Sequence, residues 1–384
     1  MLSAMLVEFA VQPNDHRARC NFIHERSHVT HPRPPLQLGL FMPNCSNMSA
    51  ISTYRIVADE WSYASNQAIA LAAEAAGFDF LFPVSRWRGF GGETDYLGTS
   101  LETMTWASAL LAVTRKIRVY STVHVPAFHP LVVAKMGSSL DHIGNGRWGI
   151  NLVSGWSKEE FAMMGLDLLP HAERYQRTKA FIEILKGLWT QPPGTFCYDS
   201  PWYQIRNGYC LPPPVQHPHP PIVNAGISPD AKEIIAEHCD WAFISMLSLE
   251  SARETITDIK SRGAERRRQL RCAGFPFVLW RASEDEALAE VQKIIAGKDT
   301  VAVQNWLSGL NLESGSFDSF TLDRLTLGAG AYPIVGTAEQ VATKLKALYD
   351  IGLDGVLMVF QAYLADTQRF QRDIMPLLRE LGVH

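Results

Sequence analysis

The chain has 384 residues, of which 47% are hydrophobic and 19% charged, with a formal charge of −4. Such a length can bury a large core and suits either one α/β barrel with an insertion or two domains. The mildly acidic balance predicts no nucleic-acid or anionic-membrane role, and no run is long enough to span a bilayer.

Six cysteines, Cys20, Cys45, Cys197, Cys210, Cys239 and Cys272, are scattered with no C-x-x-C pair. Zinc and thioredoxin-like chemistry are therefore weakly supported, and a cytoplasmic, reducing location is expected. Residues 1–12 lack a basic n-region and a clear cleavage site, so no signal peptide is expected. Residues 1–35, with His31-Pro32-Arg33-Pro34-Pro35, carry no usable periodicity and read as a flexible N-terminal extension.

From residue 36 the chain alternates strand and helix. Leu36–Met42 is a strand stopped by Pro43. Residues 60–76 form a helix, with Ala64, Ala68, Leu71, Ala72 and Ala75 at helical spacing and Gly77 as its stop. Phe78–Val84 is the second strand, 101–114 a helix, Ile117–Val123 the third strand, and 130–143 a helix opened by proline. The fourth strand, Arg147–Val153, is almost wholly apolar, as suits a parallel strand buried on both faces. Its exception is Asn151, whose carboxamide must bond to backbone or face a polar ligand.

A long helix over 172–189 follows, then a small hairpin over 195–205 and a proline-rich connection over 211–221. Further strands fall at 222–225, 241–244 and 275–280, separated by helices at 230–238 and 252–270. A helix at 284–295 comes next. Residues 297–335 break the rhythm and read as an insertion. A helix at 338–349, a last strand at 355–360 and a closing helix at 369–381 complete the chain. Eight strands alternating with helices predict a (β/α)8 TIM barrel over 36–384. The rival open doubly wound sheet usually carries G-x-G-x-x-G after its first strand, and no such motif occurs.

In a barrel, chemistry gathers at the carboxyl ends of the strands. The unusual residues there are Ser85, Arg86, Trp87 and Arg88 after strand two, and Thr122, His124 and His129 on and after strand three. Asn151, Trp156 and Glu160 belong to strand four and its loop. Arg174 and Tyr175 open the long helix, and Ser228 opens the helix after strand five. Ser228 fits a phosphate cradle, although local sequence alone favours an ordinary N-cap. Arg174 fits a surface helix position and equally an anion fork. His124 and His129 suit loop packing or proton transfer, and Trp87 and Trp156 suit rim packing or a ring platform. No compact ligand set suggests a metal, and no G-x-S-x-G elbow suggests a nucleophilic hydrolase.

In combination these stretches resemble a known family. Phe78-Asp79-Phe80, Arg88-Gly89-Phe90-Gly91-Gly92, Asp141-His142-Ile143-Gly144-Asn145-Gly146-Arg147 and Asn151-Leu152-Val153-Ser154-Gly155-Trp156 are similar to the bacterial-luciferase-like flavin monooxygenases. Glu173-Arg174-Tyr175 and Gly336-Thr337-Ala338-Glu339-Gln340-Val341 agree. Within that superfamily the chain looks most like the pyrimidine monooxygenases, with dimethyl-sulfone and alkanesulfonate monooxygenases as close relatives.

The resemblance implies a luciferase-type barrel, a homodimer or homotetramer, O2 as co-substrate, and FMN that arrives reduced from a separate NAD(P)H:flavin reductase. It implies oxygenation and cleavage of a small amide, heterocyclic or haloaromatic substrate, through a flavin peroxide or an oxygen adduct at flavin N5. It places Ser85, Arg86, Asn151 and Glu160 against the flavin, and Arg174, Tyr175 and Ser228 around its phosphate. Thr122 and Asn151 would line the oxygen pocket; attack on an amide-like carbon would also need an acid, for which the chain offers His124 or His129. The chain carries Ser85-Arg86 where the pyrimidine group has an Ile-Lys pair, and His124 and Phe128 where that group is aliphatic. Other readings are carbon–sulfur cleavage of a sulfone or sulfonate, a deazaflavin- or nicotinamide-using reductase, and a non-catalytic flavin-binding protein.

Overall fold

A computed structural model describes residues 33–309 and 319–384; the side chains of 319–321 are not described. The expected extension over 1–35 lies outside the described residues except for its last three.

Eight parallel strands close into a barrel: Gln37–Phe41, Phe80–Phe82, Arg118–His124, Trp148–Val153, Ile222–Asn224, Trp241–Ile244, Arg271–Gly274 and Gly355–Met358. Each pairs with the next in the chain, and the last returns to the first through Gln37 opposite Gly355. The (β/α)8 architecture expected from the alternation is the one observed.

The axis of the barrel is filled by Phe80, Phe82, Tyr120, Val223, Trp241, Ala273 and Leu357. Rings of this size fit only because facing positions are small. A Cβ on Gly149 would lie 2.3 Å from the Tyr120 ring, so glycine in this strand is the space that tyrosine occupies. The layers of side chains make the barrel a packed core rather than a pore.

Helices cover the outside, and most begin at a side-chain cap. Ser62 accepts from the backbone N–H of Ser65, Ser228 from Ala231, and Ser283 from Glu286. Each cap satisfies an orphan donor of the first turn, a contribution of about 1 kcal/mol. The hairpin expected over 195–205 is the antiparallel pair Phe196–Asp199 and Gln204–Gly208. Among the described residues no helix is long and apolar enough to cross a membrane.

Two expectations about the late chain need correction. The seventh barrel strand is Arg271–Gly274, ahead of the stretch 275–280 read from the sequence. Ala273 and Gly274 have little β preference of their own, and they are strand through parallel pairing with Trp241–Ile244 on one side and Gly355–Val356 on the other. The apolar run Pro276–Trp280 is a strand too, but it lies outside the ring and pairs in parallel with Tyr332–Gly336. Proline at 276 brings no N–H to the ladder, and its carbonyl accepts from Val359 instead. Residues 297–335 are therefore not wholly irregular. They hold helices Thr300–Gly309 and Ser319–Thr326 and end in that partner strand, whose Pro333 hid it from a periodicity reading.

Candidate active site

The carboxyl ends of the strands open on a cavity of about 380 Å³. Its floor is aromatic. Phe41, Phe82, Phe243 and Phe275 come from four strand ends and stand 5.3 to 6.1 Å apart, ring to ring. Phe90, Trp156 and Trp306 complete the apolar lining. Such a wall excludes water and raises the strength of every polar contact inside it.

Strands three and four bring Thr122 and Asn151 side by side in register. Asn151 Nδ2 points at Thr122 Oγ1 across 3.4 Å, and that hydroxyl donates to the Pro83 carbonyl at 2.9 Å. Both side chains are buried, and Asn151 Oδ1 has no partner. The pair thus presents a neutral, non-titrating acceptor to the cavity.

The loop after strand two is fixed by Asn44, a fully buried residue that sequence reading passed over. Its side chain donates to the Val84 carbonyl at 2.7 Å and accepts from the Val84 N–H at 2.9 Å. Directly after it, Ser85 and Arg86 line the cavity. Arg86 Nη2 meets Glu160 Oε1 at 3.1 Å, with neither side chain reaching solvent. The same carboxylate oxygen accepts from the N–H groups of Trp87 at 2.7 Å and Arg88 at 3.2 Å. Glu160 stands at the start of the short helix Lys158–Met163, where the N-terminal dipole favours an acid.

His124 lines the cavity and its Nδ1 lies 3.8 Å from Glu160 Oε2, too far for a hydrogen bond. Burial, joined by the positive charge of Arg86, pushes the imidazole down to about 4, against a hydrogen bond with the Ser85 backbone. His124 is therefore neutral at neutral pH and no store of an imidazolium proton. His129 is not brought to the cavity at all. It is exposed, and its Nδ1 accepts from the Leu131 N–H at 3.2 Å as the cap of helix Pro130–Ile143. Of the two histidines expected as the acid, His129 lies outside the cavity lining and His124 lines it as a neutral imidazole, which keeps one N–H.

At the other end of the cavity, Arg174 and Tyr175 from the long helix His171–Thr190 face the turn 224–228. Arg174 donates to the Gly155 carbonyl, and its buried Nε has no partner. Gly226 is obligatory here: a Cβ would lie 2.3 Å from that of Ala231 and 2.7 Å from the Tyr175 hydroxyl. Ser228 caps helix Pro229–His238 with its hydroxyl at 3.2 Å from the Ala231 N–H, and lies beyond the residues that line the cavity. His171 and Asp230, at 3.3 Å, tie the two helix starts together. An orphan guanidinium N–H, a phenol and a helix N-terminus converging on a glycine turn are a fit for a phosphate.

Other residues complete the site that the sequence did not flag. Asn224 ends strand five as Asn151 marks strand four; it donates to the Leu152 carbonyl at 2.7 Å and accepts from the Gly226 N–H at 2.9 Å. A polar residue at the end of an apolar strand was its signal. Trp306 comes from the irregular stretch, where no periodicity marked it. Trp87 is exposed on the rim, whereas Trp156 lines the cavity. Among the described residues no cluster of acids, histidines or cysteines is arranged to hold a metal.

Comparison with known proteins agrees with this geometry. A dimethylsulfone monooxygenase of Pseudomonas putida, named as FMNH2-dependent, is 30% identical over 90% of this chain and 96% of its own length. The pyrimidine monooxygenase RutA of Allorhizobium ampelinum is 29% identical over 89% of this chain and 96% of its own. The long-chain alkane monooxygenase LadA superposes with a TM-score of 0.81 at 18% identity, covering 92% of this chain and 93% of LadA. Residues 37–355 match the family model described as luciferase-like monooxygenase. With a barrel whose upper rim is built in this way, the chain belongs to the luciferase-like monooxygenase family.

Proposed function

We propose that this protein is an FMN-dependent monooxygenase, fed with reduced FMN by a separate NAD(P)H:flavin reductase, that oxygenates and cleaves a small amide, heterocyclic or haloaromatic substrate. The observation that carries the reading is the division of one cavity into two ends. A phosphate-type corner of Arg174, Tyr175 and Gly226 stands at one end, with the helix that Ser228 caps beginning just beyond it. A dry aromatic chamber with the Thr122–Asn151 pair stands at the other. The residues fit FMN on this structure's own terms, through the orphan Arg174 Nε and the crowding that only glycine relieves at 226.

FMN, when bound and reduced, supplies the two electrons by which O2 gives one oxygen atom to the substrate and one to water. The chain's own residues bind and dry the site. Arg174 and Tyr175 hold the phosphate, the phenylalanine floor excludes water, and Thr122 and Asn151 offer neutral polar contacts to oxygen. Asn151 serves both the flavin and the oxygen pocket, and Ser85, Arg86 and Glu160 form the wall beside the ring. Carbon–sulfur cleavage of a sulfone or sulfonate is the second reading, favoured by the likeness to a dimethylsulfone monooxygenase. We place the enzyme in the cytoplasm, as the free cysteines suit. We assign it a homodimer or homotetramer, with Val132 and Ile143 exposed on helix Pro130–Ile143 as part of an assembly face.

The test is oxygen consumption by the purified protein with reduced FMN, with and without a panel of amides, pyrimidines, haloaromatics and sulfones. Substrate-dependent product with FMN, and none with a deazaflavin, is the expected result. No affinity for FMN in either redox state sinks the reading.

A further inference from the structure

The wall of the chamber around Arg86 is rich in donors and balanced in charge. Of the guanidinium nitrogens, Nη2 is engaged, by Glu160 at 3.1 Å and the Arg88 carbonyl at 3.2 Å. Nε and Nη1 are buried with no partner. The rings of Phe90 and Trp156 lie 4.6 and 4.7 Å from the guanidinium carbon and keep water from it. Tyr96, fully buried in the same wall, adds a hydroxyl that also lacks a partner. Burial pushes that phenol far up, so it stays a neutral O–H. His124 and the buried thiol of Cys45, titratable neighbours of the pair, carry no charge at neutral pH, burial pushing the imidazole down and the thiol up.

An arginine lining a cavity ordinarily attracts an anion. Here the counter-charge is already present. Glu160 is wholly buried behind the guanidinium, so the pair contributes no net charge to the chamber. A carboxylate or sulfonate brought to Arg86 would surrender its hydration and meet Glu160 as well, gaining no net attraction. A cation would meet Arg86 first. An uncharged acceptor loses little on desolvation and satisfies donors that are costly to leave unpaired.

Resting on the flavin monooxygenase reading above, we infer that the substrate is uncharged and presents a carbonyl or sulfonyl oxygen to Arg86, with Glu160 as a positioning residue that cancels the guanidinium charge. Amides, lactams and sulfones fit this chamber. Sulfonates and carboxylates do not.

The experiment uses pairs of ligands alike in shape and different in charge: benzamide against benzoate, and methyl phenyl sulfone against benzenesulfonate. Binding to the full chain, with and without FMN, is measured by calorimetry. Each neutral ligand is expected to bind at least about tenfold more tightly than its anion. Glu160→Gln unmasks the guanidinium and is expected to invert that order. The double variant Arg86→Met, Glu160→Gln leaves no buried charge, guards against misfolding of the single variant, and is expected to lose the neutral ligands. Anions binding the wild type as tightly as their neutral partners overturn the proposal, as does failure of both neutral ligands to bind. FMN affinity, titrated separately by flavin fluorescence, tells failure of the flavin reading from failure of this one.

Discussion

Asp299 and Thr94, 205 positions apart in the chain, are joined twice: Asp299 Oδ2 accepts from the Thr94 N–H at 2.7 Å and from its hydroxyl at 2.9 Å. The other carboxylate oxygen accepts from the Ala302 N–H at 3.1 Å, in the first turn of helix Thr300–Gly309. Asn305 from the same helix donates to the Phe90 carbonyl at 2.7 Å. The loop bearing Arg86 and Phe90 and the helix bearing Trp306 are thus one mechanical unit over the chamber. Asp299→Ala is expected to cost about 2 kcal/mol, from the loss of hydrogen bonds to a charged acceptor. It should raise hydrogen exchange in residues 88–99 and 300–309 together. Faster exchange in only one of the two segments would refute the coupling.

Thr122 and Asn151 supply polarity without charge. Thr122→Ala is expected to leave FMN affinity within about threefold of wild type, less than 1 kcal/mol, and Asn151→Ala, which also gives up a flavin contact, to weaken it further while FMN still binds. Both should raise the share of consumed O2 that ends as hydrogen peroxide. The measurement is peroxide formed per O2 consumed, with substrate saturating. Unchanged product yield in both variants would show that the pair takes no part in oxygenation.

The phosphate corner makes a steric prediction. A methyl group at position 226 would overlap Ala231 and the Tyr175 hydroxyl, and the Ala231 Cβ cannot withdraw without moving its helix. Gly226→Ala is expected to weaken FMN at least about tenfold, and Arg174→Ala by a similar factor through loss of a charge-assisted contact. Fluorescence titration of FMN checks both. Full retention of affinity in Arg174→Ala would move the phosphate elsewhere.

His124 makes the fold acid-sensitive in a defined window. Its ordinary value is 6.5, and burial beside Arg86 pushes it down to about 4. The unfolded chain therefore takes up the proton first as pH falls. The stability due to the neutral imidazole is complete above pH 6.5 and is lost as pH falls from there to about 4, in total about 3 kcal/mol. Urea unfolding at about pH 7 and about pH 4.5 should show a smaller pH-dependent loss in His124→Gln than in wild type. Equal losses would mean that Glu160 and Arg86 screen the ring more than the geometry implies.

What the sequence made legible was periodic. Seven of the barrel strands are largely apolar runs bounded by helices or turns, and the remaining one, Arg271–Gly274, owes its conformation to pairing with both neighbouring strands, which no local signal carries. Arg174 and Tyr175 were legible as cavity candidates because a guanidinium and a phenol at a helix start are readable from local sequence, and Ser228 was legible as the N-cap it is. The roles of His124 and His129 were not. One is withdrawn into an environment that strips its proton, and the other spends its nitrogen on a helix cap, and both outcomes are set by tertiary burial. Tyr96 and Trp306 escaped for the same reason, since neither lies on a strand end.

The departure of Pro276–Trp280 from the barrel to pair with Tyr332–Gly336 has an architectural consequence. The excursion that includes Trp306 leaves and rejoins the molecule on two hydrogen-bonded neighbours, so its ends are clamped together independently of what lies between. A cassette framed in this way can be lengthened, shortened or exchanged while the closed ring beneath keeps its register. Diversity in what the enzyme accepts can therefore accumulate in one segment, at no expense to the staves of the barrel.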